Sequence, residues 1–91
     1  MSMSKEEAVE KARKDLAQRL GVEANEIKEQ SVEDVEFPDM ALGAGISDEM
    51  SGQMLTRGWR IRLQASGQSF EYRANKHQVR LYNYKGKNFV L

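Results

Sequence analysis

The sequence predicts an α+β fold in which one N-terminal amphipathic helix packs on a three- to four-stranded antiparallel sheet, in the order α-β-long loop-β-β-β. Three observations predict it. Apolar residues recur at helical steps near the N-terminus, they alternate at period two from Met54 onward, and no cysteine is present to staple a smaller scaffold. For 91 residues and 10.4 kDa, size scaling gives ~5,400 Å² exposed in the folded chain against ~15,000 Å² unfolded. That supports one core and a single domain over residues 1–91.

The helix is expected over residues 4–20, after a disordered tail at 1–3. Ser4 and Glu7 have capping-box spacing, and Glu6 and Glu7 meet the positive end of the helix dipole. Val9, Ala12, Leu16 and Leu20 form one apolar stripe, and Gly21 offers the left-handed residue that ends a helix, with Val22 as its apolar contact. Residues 27–37 read as a strand that Pro38 closes by removing a backbone donor. Val32 and Val35 stand three apart, so a bulge is expected near Glu33 and Asp34. The acids of this strand suit a sheet edge or a half-solvated face, with Asp34 or Glu36 near Arg60 and Arg62.

Residues 38–53, PDMALGAGISDEMSGQ, keep neither period and read as a loop. Connections of this length are either functional or mobile, or else ordered crossovers, here pinned by Met40, Leu42, Ile46 and Met50. The sequence is compatible with both readings. Strands follow over 54–65, 68–74 and 79–84. Trp59, Ile61, Leu63, Phe70, Tyr72 and Leu81 share the core face, Ser66-Gly67 makes the first turn, and Asn75–Gln78 the second. Lys85-Gly86-Lys87 then turns the chain into a short terminal stretch. A striped helix and a one-faced sheet bury their apolar sides most economically against each other.

Net charge is zero, but it is unevenly distributed: residues 1–50 hold thirteen acids against six bases (−7), and residues 51–91 hold eight bases against Glu71 alone (+7). The structural explanation is that acidic and basic strands become neighbours. The functional one is a basic, aromatic surface for a polyanion. No apolar run reaches membrane-spanning length, and MSMSKEEAVEKARKD lacks the basic and apolar regions of a signal peptide. The expected location is cytoplasmic as written, or secreted or periplasmic if a signal peptide was trimmed.

Catalytic and metal signatures are weak. The single histidine, His77, falls in a turn between Lys76 and Gln78, away from any nucleophile. Asp34, Asp39, Asp48 and Glu49 could supply oxygen ligands but lack the alternating spacing of a calcium loop, and Gly43 with Gly45 lacks the third glycine of a dinucleotide fingerprint. The expectation is a non-catalytic binding module without cofactor or metal, a monomer or weak dimer. One reading is a protein-binding or protease-inhibitor-like module acting through Asp39, Met40, Leu42, Ile46 and Met50, since methionine suits adaptable contacts. The alternative is nucleic-acid or other polyanion binding by Arg60, Arg62, Arg73, Arg80, Lys85 and Lys87, interleaved with Tyr82 and Tyr84.

The run Phe37-Pro38-Asp39-Met40-Ala41-Leu42-Gly43, then Gln53, Thr56, Gly58-Trp59-Arg60-Ile61 and Phe70-Glu71-Tyr72-Arg73, resembles a group of small bacterial proteins and lipoproteins of unassigned function. Their pattern runs Trp-Pro-Asp, Leu-Gly-Cys-Pro, Thr-Pro-Gly-Tyr-Arg-Ile and a Tyr-x-Tyr hairpin, after a helix ending Leu-Gly-Val, here Leu20-Gly21-Val22. This chain departs from it at Phe37, Ala44, Gly45 and Arg57. At the level of layout alone, helix plus meander is similar to PepSY-type and cystatin-like modules.

Overall fold

The computed structural model describes residues 2–91. Helix α1 spans Lys5–Leu20 and starts at a complete capping box: Ser4 Oγ accepts from the Glu7 N–H at 3.1 Å, and Glu7 Oε1 accepts from the Ser4 N–H at 2.8 Å. It ends at Gly21, whose φ of 68° is left-handed, and the Val22 N–H returns to the Ala17 carbonyl at 3.0 Å. The buried stripe is Ala8, Val9, Ala12, Leu16 and Ala17. A single 3₁₀ turn at Ala24–Glu26 leads into the sheet. Of the expected tail, Met3 is instead tied down, its N–H donating to the Lys76 carbonyl at 2.8 Å and its side chain packing on the core.

Five strands form one antiparallel meander in chain order: β1 Lys28–Phe37, β2 Thr56–Ala65, β3 Gln68–Ala74, β4 Val79–Tyr84 and β5 Lys87–Val90. The terminal stretch joins the sheet as β5 because Lys85 and Gly86, with φ of 53° and 83°, make a two-residue turn. Ser66 and Gly67 do the same between β2 and β3, both at positive φ. β2 begins at Thr56, two residues later than period two suggests. No helix among the described residues is long and apolar enough to cross a membrane.

The helix covers one face of the sheet, where Ile61, Leu63, Tyr72, Ala74, Val79 and Leu81 are buried against Leu16 and Ala12. A polar link crosses this interface. The Tyr72 hydroxyl donates to Asp15 Oδ2 at 2.8 Å, and Arg19 Nε reaches the same oxygen at 2.7 Å. Burial and the Asp15 carboxylate push the Tyr72 phenol upward. The Arg19 guanidinium in turn lies 4.4 Å from the centre of the Phe89 ring. Leu20, Trp59 and Phe70 flank this core half-buried rather than filling it.

The β1 irregularity falls at Gln30, between Glu29 and Ser31, not at Glu33–Asp34. With the extra residue at Gln30, alternation is unbroken from Ser31 to Phe37, so Val32 and Val35, three apart, fall on opposite faces. Val32 therefore packs toward the helix, while Val35, expected in that core, opposes Gly58 on the other face. Asp34 likewise leaves the arginines and meets Lys5 Nζ at 3.1 Å, whereas Glu33 lies 3.6 Å from Arg62 Nη1.

Candidate functional site

β1 and β2 are neighbours, yet eighteen residues, 38–55, join them. This connection folds as a closed loop, its base fastened by the Met40 N–H donating to the Gly52 carbonyl at 3.0 Å. It starts at Asp39, whose Oδ1 accepts from the N–H groups of Ala41 at 2.9 Å and Gly43 at 3.0 Å. Ala41, Leu42 and Ala44 are buried with Phe37, forming a second small core on the sheet face opposite α1. Gly58 is the floor beneath that core: a Cβ there would meet the Phe37 ring and the Ala74 carbonyl.

Side chains from three strands and from the β3–β4 turn hold the loop backbone. Arg73 Nη1 donates to the carbonyls of Leu42 at 3.1 Å and Gly43 at 3.2 Å, and Arg80 Nη1 to Ala44 at 3.1 Å. Gln78 Nε2 reaches the Met40 carbonyl and Asn88 Nδ2 the Gly45 carbonyl, each at 2.8 Å. Arg80, only 5 % exposed, also makes a bidentate pair with Glu49 at 2.7 and 2.6 Å. That guanidinium holds the Glu49 carboxyl down to about 2, with help from the Ile46 N–H and against a smaller opposing effect of burial. The crossover is thus ordered, but Leu42 alone of its expected apolar pins is buried. Met40, Ile46 and Met50 are exposed, Met50 at 98 %.

The six expected polyanion-binding cations do not form one open surface. Arg60, Arg73 and Arg80 lie in direct cross-strand register, where neighbouring like charges need compensation. Arg73 stacks 3.6 Å from the centre of the Tyr82 ring and pairs with Glu71 Oε2 at 2.8 Å. Arg60 and Arg62 approach the same Glu71 carboxylate at 3.4 and 3.8 Å. Lys85 and Lys87 stay exposed at the β4–β5 turn without an ion partner among the described residues.

A cleft of about 860 Å³ opens at the end of the sheet where the two arms of the loop meet it. Its apolar wall is Met40, Met54, Leu55 and Trp59; its rim carries Glu36 and Arg57 on one side and Lys76 and His77 on the other. Met54 and Leu55, which strand periodicity absorbed into β2, are instead about two-thirds exposed, at 64 % and 65 %. The opposite rim is rigid, because Asn75 Oδ1 accepts from the N–H groups of His77 at 2.8 Å and Gln78 at 3.0 Å. The cleft brings Met40 together with residues that the loop reading did not include, and leaves Ile46 and Met50 outside. Among the described residues no three His, Asp or Glu side chains converge on a common point.

Residues 9–82 match the family described as a domain of unknown function, DUF8738, and the chain belongs to that family. No curated protein and no solved structure matches it.

Proposed function

We propose that this member of the DUF8738 family is a non-catalytic protein-binding module whose contact surface is the cleft and its apolar wall. One observation carries the reading. Five of the six large apolar side chains exposed among the described residues, Met40, Ile46, Met50, Met54 and Leu55, belong to the 38–55 connection, and three of them line one cleft. Exposed apolar side chains gathered in one place mark interaction sites on small domains, and flexible methionine side chains fit themselves to a partner. The ordered loop supports the same reading, because a preorganised surface loses less freedom on association. The protease-inhibitor-like variant is one form of such a module. Polyanion binding is the weaker reading, since four of its six cations already serve carboxylates, loop carbonyls or both.

A capture experiment at two salt concentrations tests this. The expected result is a protein partner retained when salt is raised, and lost with Met54→Ser and Leu55→Ser together. Lys85→Gln with Lys87→Gln should leave capture unchanged. Partners that vanish with modest salt and with the lysine substitutions, leaving the Met54 and Leu55 variant unaffected, would reverse the assignment, because binding would then run through the cations and not through the apolar wall.

A further inference from the structure

We propose that the open edge of β1 receives an extended, basic segment of a partner protein as an added strand, with an apolar side chain of that segment seated in the cleft against Trp59. The proposal rests on the protein-binding reading and specifies the chemistry of the partner. β1 is the first strand of the meander and pairs only with β2. The 38–55 connection turns away from that edge, running across the sheet toward Arg80 of β4 and Asn88 of β5. Among the described residues no backbone hydrogen bond from outside the sheet ladder reaches Lys28–Phe37. About every second residue of this ten-residue strand therefore turns an unused backbone donor and acceptor outward, the feature that strand addition exploits.

Charge selects the occupant. β1 holds Glu29, Glu33, Asp34 and Glu36 against Lys28, a net −3. Glu29 and Glu36 have no ion partner among the described residues, and Glu33 and Asp34 remain 49 % and 77 % exposed despite their contacts with Arg62 and Lys5. A second copy placed edge to edge would set −3 against −3, and like charges across a strand pair oppose association. A lysine- or arginine-bearing strand meets the opposite condition. The position of the cleft adds the apolar element. Asp34, Val35 and Glu36 line it together with Trp59, so a strand paired with the C-terminal half of β1 directs alternate side chains toward its mouth.

Trp59 is the single tryptophan and reports directly on the cleft. Three synthetic probes of about eight residues, the length of an ordinary strand, serve for titration: one alternating lysine with valine and leucine, its glutamate counterpart, and the lysine peptide methylated on alternate backbone nitrogens. The expected result is a shift of Trp59 emission, and of the Lys28–Phe37 amide signals in NMR, with the lysine peptide alone. The methylated and acidic peptides should bind at least about tenfold more weakly. Glu29→Lys with Glu36→Lys, checked by circular dichroism, should reverse the preference toward the acidic peptide; the three-peptide comparison on the wild-type chain decides the matter if that variant fails to fold. Equal binding of the methylated peptide, or no response from any probe, overturns strand addition. Sedimentation showing a dimer that the two charge reversals dissociate overturns it in favour of a second copy. If all probes fail while the Met54 and Leu55 substitutions still abolish partner capture, the edge proposal falls and the protein-binding reading stands.

Discussion

Arg80 is the residue on which the second face of the sheet depends. It is buried, it spans from β4 to the loop, and it serves a carbonyl and a carboxylate with one guanidinium. Hydrogen bonds to charged groups contribute about 1.5 to 3 kcal/mol, so Arg80→Ala is expected to lower stability by about 2 to 3 kcal/mol in denaturant titrations. Arg80→Lys should recover little of this, because a point charge does not reproduce a bidentate fork. The partner carboxyl makes the effect dependent on pH. Glu49 has its folded value depressed from 4.5 to about 2. Its contribution is therefore present above pH 4.5 and is lost as pH falls through about 2. The stability gap between wild type and Glu49→Gln should be constant from pH 7 to 5 and close progressively below 4.5. A gap independent of pH down to 2 would show that the pair does not hold the loop.

At the scale of elements, the loop is a fastened lid on the sheet rather than a free strand of chain. Replacing Gly45–Ser51 by glycine and serine removes Glu49 and Ile46 but leaves Leu42, Ala44 and the Met40–Gly52 tie in place. The variant is expected to keep the wild-type circular-dichroism spectrum and to lose about 2 to 3 kcal/mol, most of it from the stranded Arg80. Partner capture should persist, since Met40, Met54 and Leu55 lie outside the replaced stretch; its loss would move the contact surface to the loop tip. The elements themselves differ in how far the sequence discloses them. α1 and the two-residue turns are legible because their signals are local: Ser4 with Glu7, Gly21, Ser66-Gly67, Lys85-Gly86. The loop's architecture is not, because its ties join residues thirty or more apart, such as Arg73 with Gly43 and Arg80 with Glu49. The position of the β1 bulge is not legible either, since no glycine or other local turn signal marks Gln30 among the polar residues around it. For the cleft one signal existed: Met54 and Leu55 are adjacent apolar residues, which a period-two strand with one solvated face does not favour.

The whole molecule is a sheet covered on one face by a helix and on part of the other by a loop, and the two coverings differ in the chain entropy they consume. The β2–β3 and β4–β5 pairs close through two-residue turns, whereas β1–β2 closes through eighteen residues. Loop-closure entropy scales as (3/2)RT ln n, so the longer connection costs about 2 kcal/mol more. The β2–β3–β4 meander with α1 is thus the region that can form early, and β1 with its loop docks afterwards. Destabilisation in a late-forming region appears chiefly as faster unfolding. Val32→Ala on β1 and Leu42→Ala in the loop core should therefore raise the unfolding rate with little change in folding. Leu63→Ala on β2, at the centre of the helix–sheet core, should slow folding. Stopped-flow chevrons followed by Trp59 fluorescence measure all three. If Val32→Ala slows folding as much as Leu63→Ala does, then β1 is already paired in the transition state, its long connection has closed before the meander is complete, and the entropic ordering argued from turn length does not govern how this chain folds.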